Sequence, residues 1–201
     1  VSANNDTAQS KAILRFINDA KREVEDAFNW TALQNTVTIA TVAGTHTYDL
    51  EQSSAGVYSN QRSRIVDVFN TTNTVRLTPY PFDYVRRQTQ LDTDNQQEPF
   101  AWATAGVTTT QSLKIRLFPT PDAVYSIDVE TIIPEEDKDS DLQYTKVPWY
   151  PVYLKALALA VRERGEDDGE EFNEVQKAYQ QAIGDAIAYE QNNKWQGHDG
   201  D

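Results

Sequence analysis

Ile13-Leu-Arg-Phe-Ile-Asn-Asp-Ala-Lys-Arg-Glu-Val-Glu-Asp-Ala-Phe28 is followed, after Asn29-Trp-Thr31, by Thr36-Val-Thr-Ile-Ala-Thr-Val42, and between the two the apolar period changes. In the first stretch Ile13, Ile17, Ala20, Val24 and Ala27 recur at spacings of 4, 3, 4 and 3, with Leu14 and Phe28 flanking them. That is the apolar stripe of an amphipathic helix. The opposite face carries Lys11, Arg15, Lys21, Arg22, Glu25 and Asp26, and Asp6 or Thr7 supplies an N-cap. Fewer than three heptads do not hold a free-standing coiled coil, so the helix must pack on something. In the second stretch the residues alternate and are rich in β-branched side chains. Ala43-Gly44 then turns the chain into Thr45-His-Thr-Tyr-Asp-Leu50, a pattern that reads as a hairpin.

Outward from this switch, strand patterns continue. Arg64–Phe69, Thr74–Thr78, Phe100–Thr104, Leu113–Phe118 and Val124–Ile133 are short β-prone runs, and Phe82–Leu91 reads as a short helix. Glu51–Ser63 and Asp92–Glu98 are polar connections. About seven strands with turn signals between them predict a β-sandwich or small barrel. Helical spacing returns after an acidic linker, Pro134–Lys146. Tyr150, Tyr153, Leu154, Leu157, Ala158 and Val161 form one stripe, with Pro151 tolerated in the first turn and Gly165 as C-cap. Asp168-Gly-Glu-Glu171 matches a capping box for a second helix, which carries Phe172, Val175, Tyr179, Ala182, Ile183 and Ala186. Gly184 inside that helix suggests close approach of a neighbouring backbone.

The fold class expected is therefore α+β. One N-terminal and two C-terminal helices form a bundle (residues 1–35 and 146–191), into which an antiparallel β-sandwich or barrel module (36–145) is inserted, with a flexible tail at 192–201. One-sided helices bury their stripes only against each other or a partner.

Composition narrows the function. The chain has 201 residues, no Cys, 18 basic and 31 acidic residues and a formal charge of −13. The excess is concentrated in residues 134–201, which hold 7 basic and 16 acidic residues. Such a chain repels a phosphate backbone, because nucleic-acid affinity comes largely from Lys and Arg. Zero Cys excludes a cysteine nucleophile, a zinc-thiolate site and a redox pair. No stretch reaches the ~18 apolar residues of a membrane span, and Val1–Asp6 is polar, unlike a signal peptide.

Chemistry-bearing patterns are sparse. The two histidines, His46 and His198, lie in dissimilar surroundings, and neither Gly-x-Ser-x-Gly nor a glycine-rich phosphate loop occurs. Asp137-x-Asp139-x-Asp141 imitates half a calcium loop, but Leu142 replaces the turn glycine and Pro148 the bidentate glutamate. A weak cation site there or at Asp92/Asp94/Asn95 competes with plain solvated charge. Asn29-Trp-Thr31 and Asn70-Thr-Thr72 match the glycosylation sequon by chance. No catalytic residue, cofactor or metal is expected. Trp149, Tyr150 and Tyr153 cluster at the start of the penultimate helix, and Trp30 closes the first. Trp195 differs, since it lies in a polar segment with nothing local to pack on. Lys194, Trp195 and His198 are the candidate docking residues, with Trp195 as an aromatic anchor for a groove on another subunit.

The order of these pieces resembles the head-to-tail adaptor, or tail tubular protein A, of short-tailed bacteriophages over about residues 10–190. Phe28-Asn-Trp-Thr31 ends the first helix and Thr41-Val-Ala-Gly-x-x-x-Tyr-x-Leu50 follows. Leu117-x-Pro-x-Pro-Asp122, a Pro-x-x-Tyr/Trp start and two terminal helices around an acidic-glycine turn come later. The resemblance implies a structural virion protein of the tail and neck region, assembled in the host cytoplasm. It implies a twelve-fold ring of identical copies whose helical part and C-terminal segment meet the portal protein and whose β-module faces the tail nozzle, a tail tubular protein B-like component. Double-stranded DNA would pass through the channel without sequence-specific binding, and no membrane is involved. An acidic lumen would let DNA slide. Two other classes stay open. One is a carbohydrate- or receptor-binding β-module presenting Tyr58, Tyr80, Tyr84 or Trp102 on an exposed strand face. The other is an acid-based glycoside hydrolase or lyase using a carboxylate pair.

Overall fold

The structure, a computed structural model, describes residues 8–50, 62–91, 95–109, 112–139, 143–163 and 169–196, with Ala8 and residues 194–196 described by their backbone alone. In chain order the elements are α1 (Ala8–Ala27), β1 (Gln34–Ala40), β2 (Thr47–Asp49), β3 (Arg64–Asn70), β4 (Val75–Arg76), β5 (Thr78–Pro79), α2 (Phe82–Leu91), β6 (Ala101–Val107), β7 (Leu113–Phe118), β8 (Ser126–Ile132), α3 (Trp149–Glu163) and α4 (Glu170–Gln196). The fold is α+β. The chain divides into two compact units, residues 1–33 with 134–201, and residues 34–133. The caps expected at Asp6 or Thr7, at Gly165 and at Asp168 lie outside the described residues, as do Asp92, Asp94, Asp141, Tyr58 and His198.

The β-unit holds two four-stranded sheets, ordered β1-β8-β3-β4 and β2-β7-β6-β5. Alternation puts Val37 and Ile39 of β1, Val68 of β3, Ile127 and Val129 of β8, Trp102 of β6 and Leu113, Ile115 and Leu117 of β7 into one apolar core. Both sheets therefore face the same interior. The second sheet is covered on its other side by α2, where Val85 packs with Ala101, Ala103 and Phe118.

The hairpin expectation for Thr36–Leu50 is corrected here. The Ala43-Gly44 turn exists: Thr45 N donates to Val42 O at 3.0 Å, and Gly44 has φ +79°, the left-handed value that the third position of a type II turn needs. The strands on either side do not pair. β1 pairs with β8 and β2 with β7, so the turn carries the chain from one sheet to the other. Local turn chemistry fixes a reversal but not which neighbour a strand takes. The pairing is also not wholly antiparallel, since β5 runs parallel to β6. β1 and β8, the first and last strands of the unit, are antiparallel neighbours in unbroken register from Gln34↔Ile132 to Ala40↔Ser126.

In the helical unit α3 packs against both α1 and α4. Ala20 and Val24 of the expected α1 stripe are fully buried, whereas Ile13 is half exposed. Trp30 seals the end of α1: its indole N–H donates to Val24 O at 2.7 Å, satisfying one of the carbonyls that a helix C-terminus leaves without a partner, and Phe28 meets it edge-on. Three expectations change in this unit. The buried face of α3 is Pro151, Val152, Leu154, Ala158 and Val161, and Tyr150 and Tyr153 lie outside it, about half exposed. Helix α4 runs five residues beyond Gln191, so Asn192–Gln196 is helical rather than the start of a loose tail. Polar, unbranched side chains such as Gln and Lys carry little helix penalty, and nothing at Gln191 stops the helix. Gly184, finally, meets no other part of the described residues within 4 Å of where its Cβ would be, so no close approach among them explains it.

Candidate interaction surfaces

The acidic segment after β8, expected to be solvated linker charge belonging to the β-module, is clamped along α1 within the helical unit. Asn18 Nδ2 donates to Lys138 O at 2.9 Å and Asn18 Oδ1 accepts from Lys138 N at 2.8 Å. Lys21 Nζ donates to Glu135 O at 2.9 Å and Glu136 O at 2.7 Å and lies 3.4 Å from Glu25 Oε1. Glu25 Oε1 in turn accepts from Glu135 N at 3.2 Å. Lys21 and Glu25 are completely buried. Burial pulls the Lys21 pKa down, and the neighbouring Glu25 carboxylate opposes it. Arg22 closes the clamp from outside with a two-pronged pairing to Asp137. Asp137 is thus held by a guanidinium, and among the described residues no group of three or more His, Cys, Asp or Glu is placed to hold a metal ion.

Asn18, Lys21 and Glu25 are spaced 3 and 4, a second helical stripe that is polar. Reading Lys21 and Glu25 as a solvated face missed it, because polar periodicity on a helix ordinarily means exposure. Five Asp and Glu residues lie between 135 and 141, and that run was the available signal for a cationic counterpart elsewhere.

A polar triad ties α4 to the other two helices. The Tyr179 hydroxyl donates to Glu23 Oε1 at 3.0 Å, Lys155 Nζ sits 2.8 Å from Glu23 Oε2, and the same ammonium lies 5.2 Å from the Tyr179 ring centroid. Burial beside the Glu23 carboxylate pushes the Tyr179 phenol pKa up. Near the end of the helix Glu190 Oε1 accepts from Thr31 N at 2.7 Å.

Beside that bond opens a groove of about 700 Å³ with Trp30, Tyr144, Pro148, Trp149, Tyr189 and Glu190 among its lining residues. Trp30 is buried at its base, but three other aromatics of the groove are wet: Tyr144 is 91% exposed, Trp149 70% and Tyr189 69%. Trp149 leans edge-on against Tyr150 at 5.6 Å between ring centroids. Large apolar side chains grouped on a surface mark interaction sites more often than singly scattered ones. Of the three docking candidates, Lys194 and Trp195 have their backbone in the last turn of α4, and their side chains, like all of His198, lie outside the described residues. Sequence reasoning put an aromatic anchor at Trp195; Tyr144, Trp149 and Tyr189 are further exposed rings of the same unit.

In the β-unit, Trp102 belongs to the sandwich core and offers no face to a sugar ring, which removes it from the expected platform. Tyr80 and Tyr84 are partly exposed and stack on each other at 4.9 Å. The His46 pKa is pulled down by burial and by the positive charge of Arg116.

A family model described as SU10 adaptor protein matches residues 2–199. No curated protein sequence matches the chain. Among the described residues, no helix is long and apolar enough to cross a membrane.

Proposed function

The chain belongs to the SU10 adaptor protein family and is a phage structural adaptor, and from that premise we propose that it links the portal vertex to the tail nozzle as a ring of identical copies around the DNA channel. The twelve-fold stoichiometry, the location in the tail and neck of the virion and the absence of catalysis are parts of this proposal. The observation that carries it is the aromatic groove of the helical unit. Tyr144, Trp149 and Tyr189 keep most of their surface in water, a cost of roughly 25 cal/mol per Å² that a partner surface removes. Lys194 and Trp195 in the last turn of α4, together with His198, extend the same docking function. Two of the three ride on a helix, and helical presentation lowers the ordering cost of binding. The charge of −13 suits a conduit that DNA traverses without adhering.

Mixing the chain with a cognate portal protein and sedimenting the mixture tests the proposal. Co-sedimentation, with a ring visible in negative stain, is the expected result; a chain that stays unbound at micromolar portal refutes it. Trp149→Ala should weaken binding at least tenfold, consistent with the ~2 kcal/mol of an aromatic hot spot. The alternative of a carbohydrate-binding β-module rests on the Tyr80–Tyr84 stack, and a glycan array that responds to Tyr84→Ala would favour it.

A further inference from the structure

Helix α3 carries a second apolar stripe, apart from the one it buries. Tyr150, Tyr153, Leu157 and Ala160 recur at spacings of 3, 4 and 3, which places them on one helix face. Tyr150 is 48% exposed and Tyr153 54%, and Leu157 and Ala160 are half-buried. The stripe has no charge. From Trp149 to Val161 the only charged side chain is Lys155, and it is turned onto Glu23 at 2.8 Å. The other outer faces of the helical unit differ. Arg15, Arg22 and Asp26 stud the outside of α1, and Glu170, Glu174 and Lys177 the first half of α4. The second half of α4 is the exception: among its exposed residues from Gln180 to Asn193, Asp185 alone is charged. Near the middle of that stretch Gly184 leaves the helix backbone bare, with no other described residue within 4 Å of where its Cβ would be.

We propose that the α3 stripe of one copy docks on the uncharged second half of α4 in a neighbouring copy. Charge selects the occupant. The helical unit holds 11 basic and 21 acidic residues, a formal −10. Two such units repel across most of their surface, and approach costs least where both faces lack charge. A basic partner is steered to the acids instead. Area agrees with a protein contact. At ~200 Å² per ring, Tyr150 and Tyr153 leave about 200 Å² in water, a fitting core for an interface that buries ~800 Å² per partner once its polar rim is counted. The contact joins two different faces, so it repeats head to tail and can close into a ring. It deepens the ring reading above and rests on it for that closure. Tyr150 meets Trp149 edge-on, so the contact borders the aromatic groove while standing on residues that do not line it.

The chain has no Cys, so single introduced cysteines report the contact without background. Full-length Tyr153→Cys and Ala188→Cys copies, one carrying a mass tag, are mixed at high protein concentration under mild oxidation. Arg15→Cys, on the charged outside of α1, is the control partner. The expected product is a disulfide between the Tyr153→Cys and Ala188→Cys copies, about tenfold above the control pairing and above either homodimer. Raising sodium chloride to about 0.5 M should increase its yield about twofold, because salt screens the repulsion between acidic copies. Tyr150→Asp added to the Tyr153→Cys copy should cut the yield about fivefold with the circular dichroism unchanged, since the position is half exposed. A dominant Tyr153→Cys homodimer means stripe on stripe and overturns the head-to-tail assignment. A yield no higher than the control, or one that falls with salt, overturns the contact itself. Portal binding is not part of the readout. A chain that crosslinks this way yet ignores the portal sinks the adaptor proposal and keeps the contact, and the opposite pair of results does the reverse.

Discussion

The two units are built on opposite principles. In the β-unit the large, fully buried side chains are apolar and come from both sheets, Val68, Leu77, Ile115, Leu117, Ile127 and Val129 among them, and no charged side chain of its described residues is buried with them. In the helical unit two of the most deeply buried side chains are a lysine and a glutamate, Lys21 and Glu25. Helix α4, 27 residues long, fully buries only Tyr179 and Ile183 among its described side chains. Apolar burial is non-directional and tolerates sliding, whereas the bonds from Lys21, Glu25 and Asn18 meet particular backbone atoms at Glu135, Glu136 and Lys138. Stability in the first unit comes from covered area. In the second, polar contacts set where one segment lies on another, at a desolvation cost that only complete satisfaction offsets.

The sharpest test of the contrast is Lys21→Ala, which leaves the Glu25 carboxylate buried without its cation. It should destabilise the helical unit by about 3–5 kcal/mol, read by hydrogen exchange as lost protection in α1 with the β-strands unaffected. The double change Lys21→Met with Glu25→Leu should recover most of that loss while loosening residues 135–138. Leu117→Ala addresses the other side of the comparison. A cavity in the sandwich should cost about 2–5 kcal/mol, and the exchange pattern should reverse, with β6 and β7 exposed and α1 protected. An equal response of both units to either change would break the distinction.

Smaller effects sharpen it. Tyr179→Phe removes a hydroxyl bonded to Glu23 and should cost about 1 kcal/mol near neutral pH. Because the folded-state pKa of Tyr179 is raised above its unfolded value, its contribution is complete below about pH 10 and is lost as pH climbs toward the folded pKa. An alkaline denaturation series should therefore show a descending limb above pH 10 in the wild type that is shallower in Tyr179→Phe. Smallest of all, Gly184→Ala should stabilise the isolated chain by about 0.5–1 kcal/mol, since its Cβ meets open space. If the same change weakens ring formation, the exposed face of α4 at Gly184 is a subunit contact.

Much of the architecture could be read from periodicity. Leu113-Lys-Ile-Arg-Leu alternates and is a strand whose apolar members all reach the core, and the 3–4 spacing around Ala20 and Val24 marks a helix face that is buried. Pairing was not legible. Thr36–Val42 and Thr45–Leu50 flank a sound turn, yet each finds its partner more than sixty residues away. The polar stripe of α1 was hidden because Lys and Glu are read as surface by default, and only the backbone of a distant segment makes their burial affordable. Tyr150 and Tyr153 misled in the other direction: aromatic rings at helical spacing count as core by hydropathy, but Pro151 and Val152 take the inward positions. An aromatic anchor in the C-terminal third could be read at Trp195, whereas the exposure of Trp149 and Tyr189, rings that hydropathy counts as core, came only from the structure.

The pairing of the outermost strands of the β-unit has an evolutionary consequence. Gln34 and Ile132 face each other across one ladder rung, so a hundred residues leave the chain and return about 5 Å from where they left. Whatever is grafted between these two posts, larger, smaller or unrelated, asks nothing of the rods on either side except that its own ends meet. Two cut points, one at each post, are all that an exchange of the whole cartridge requires.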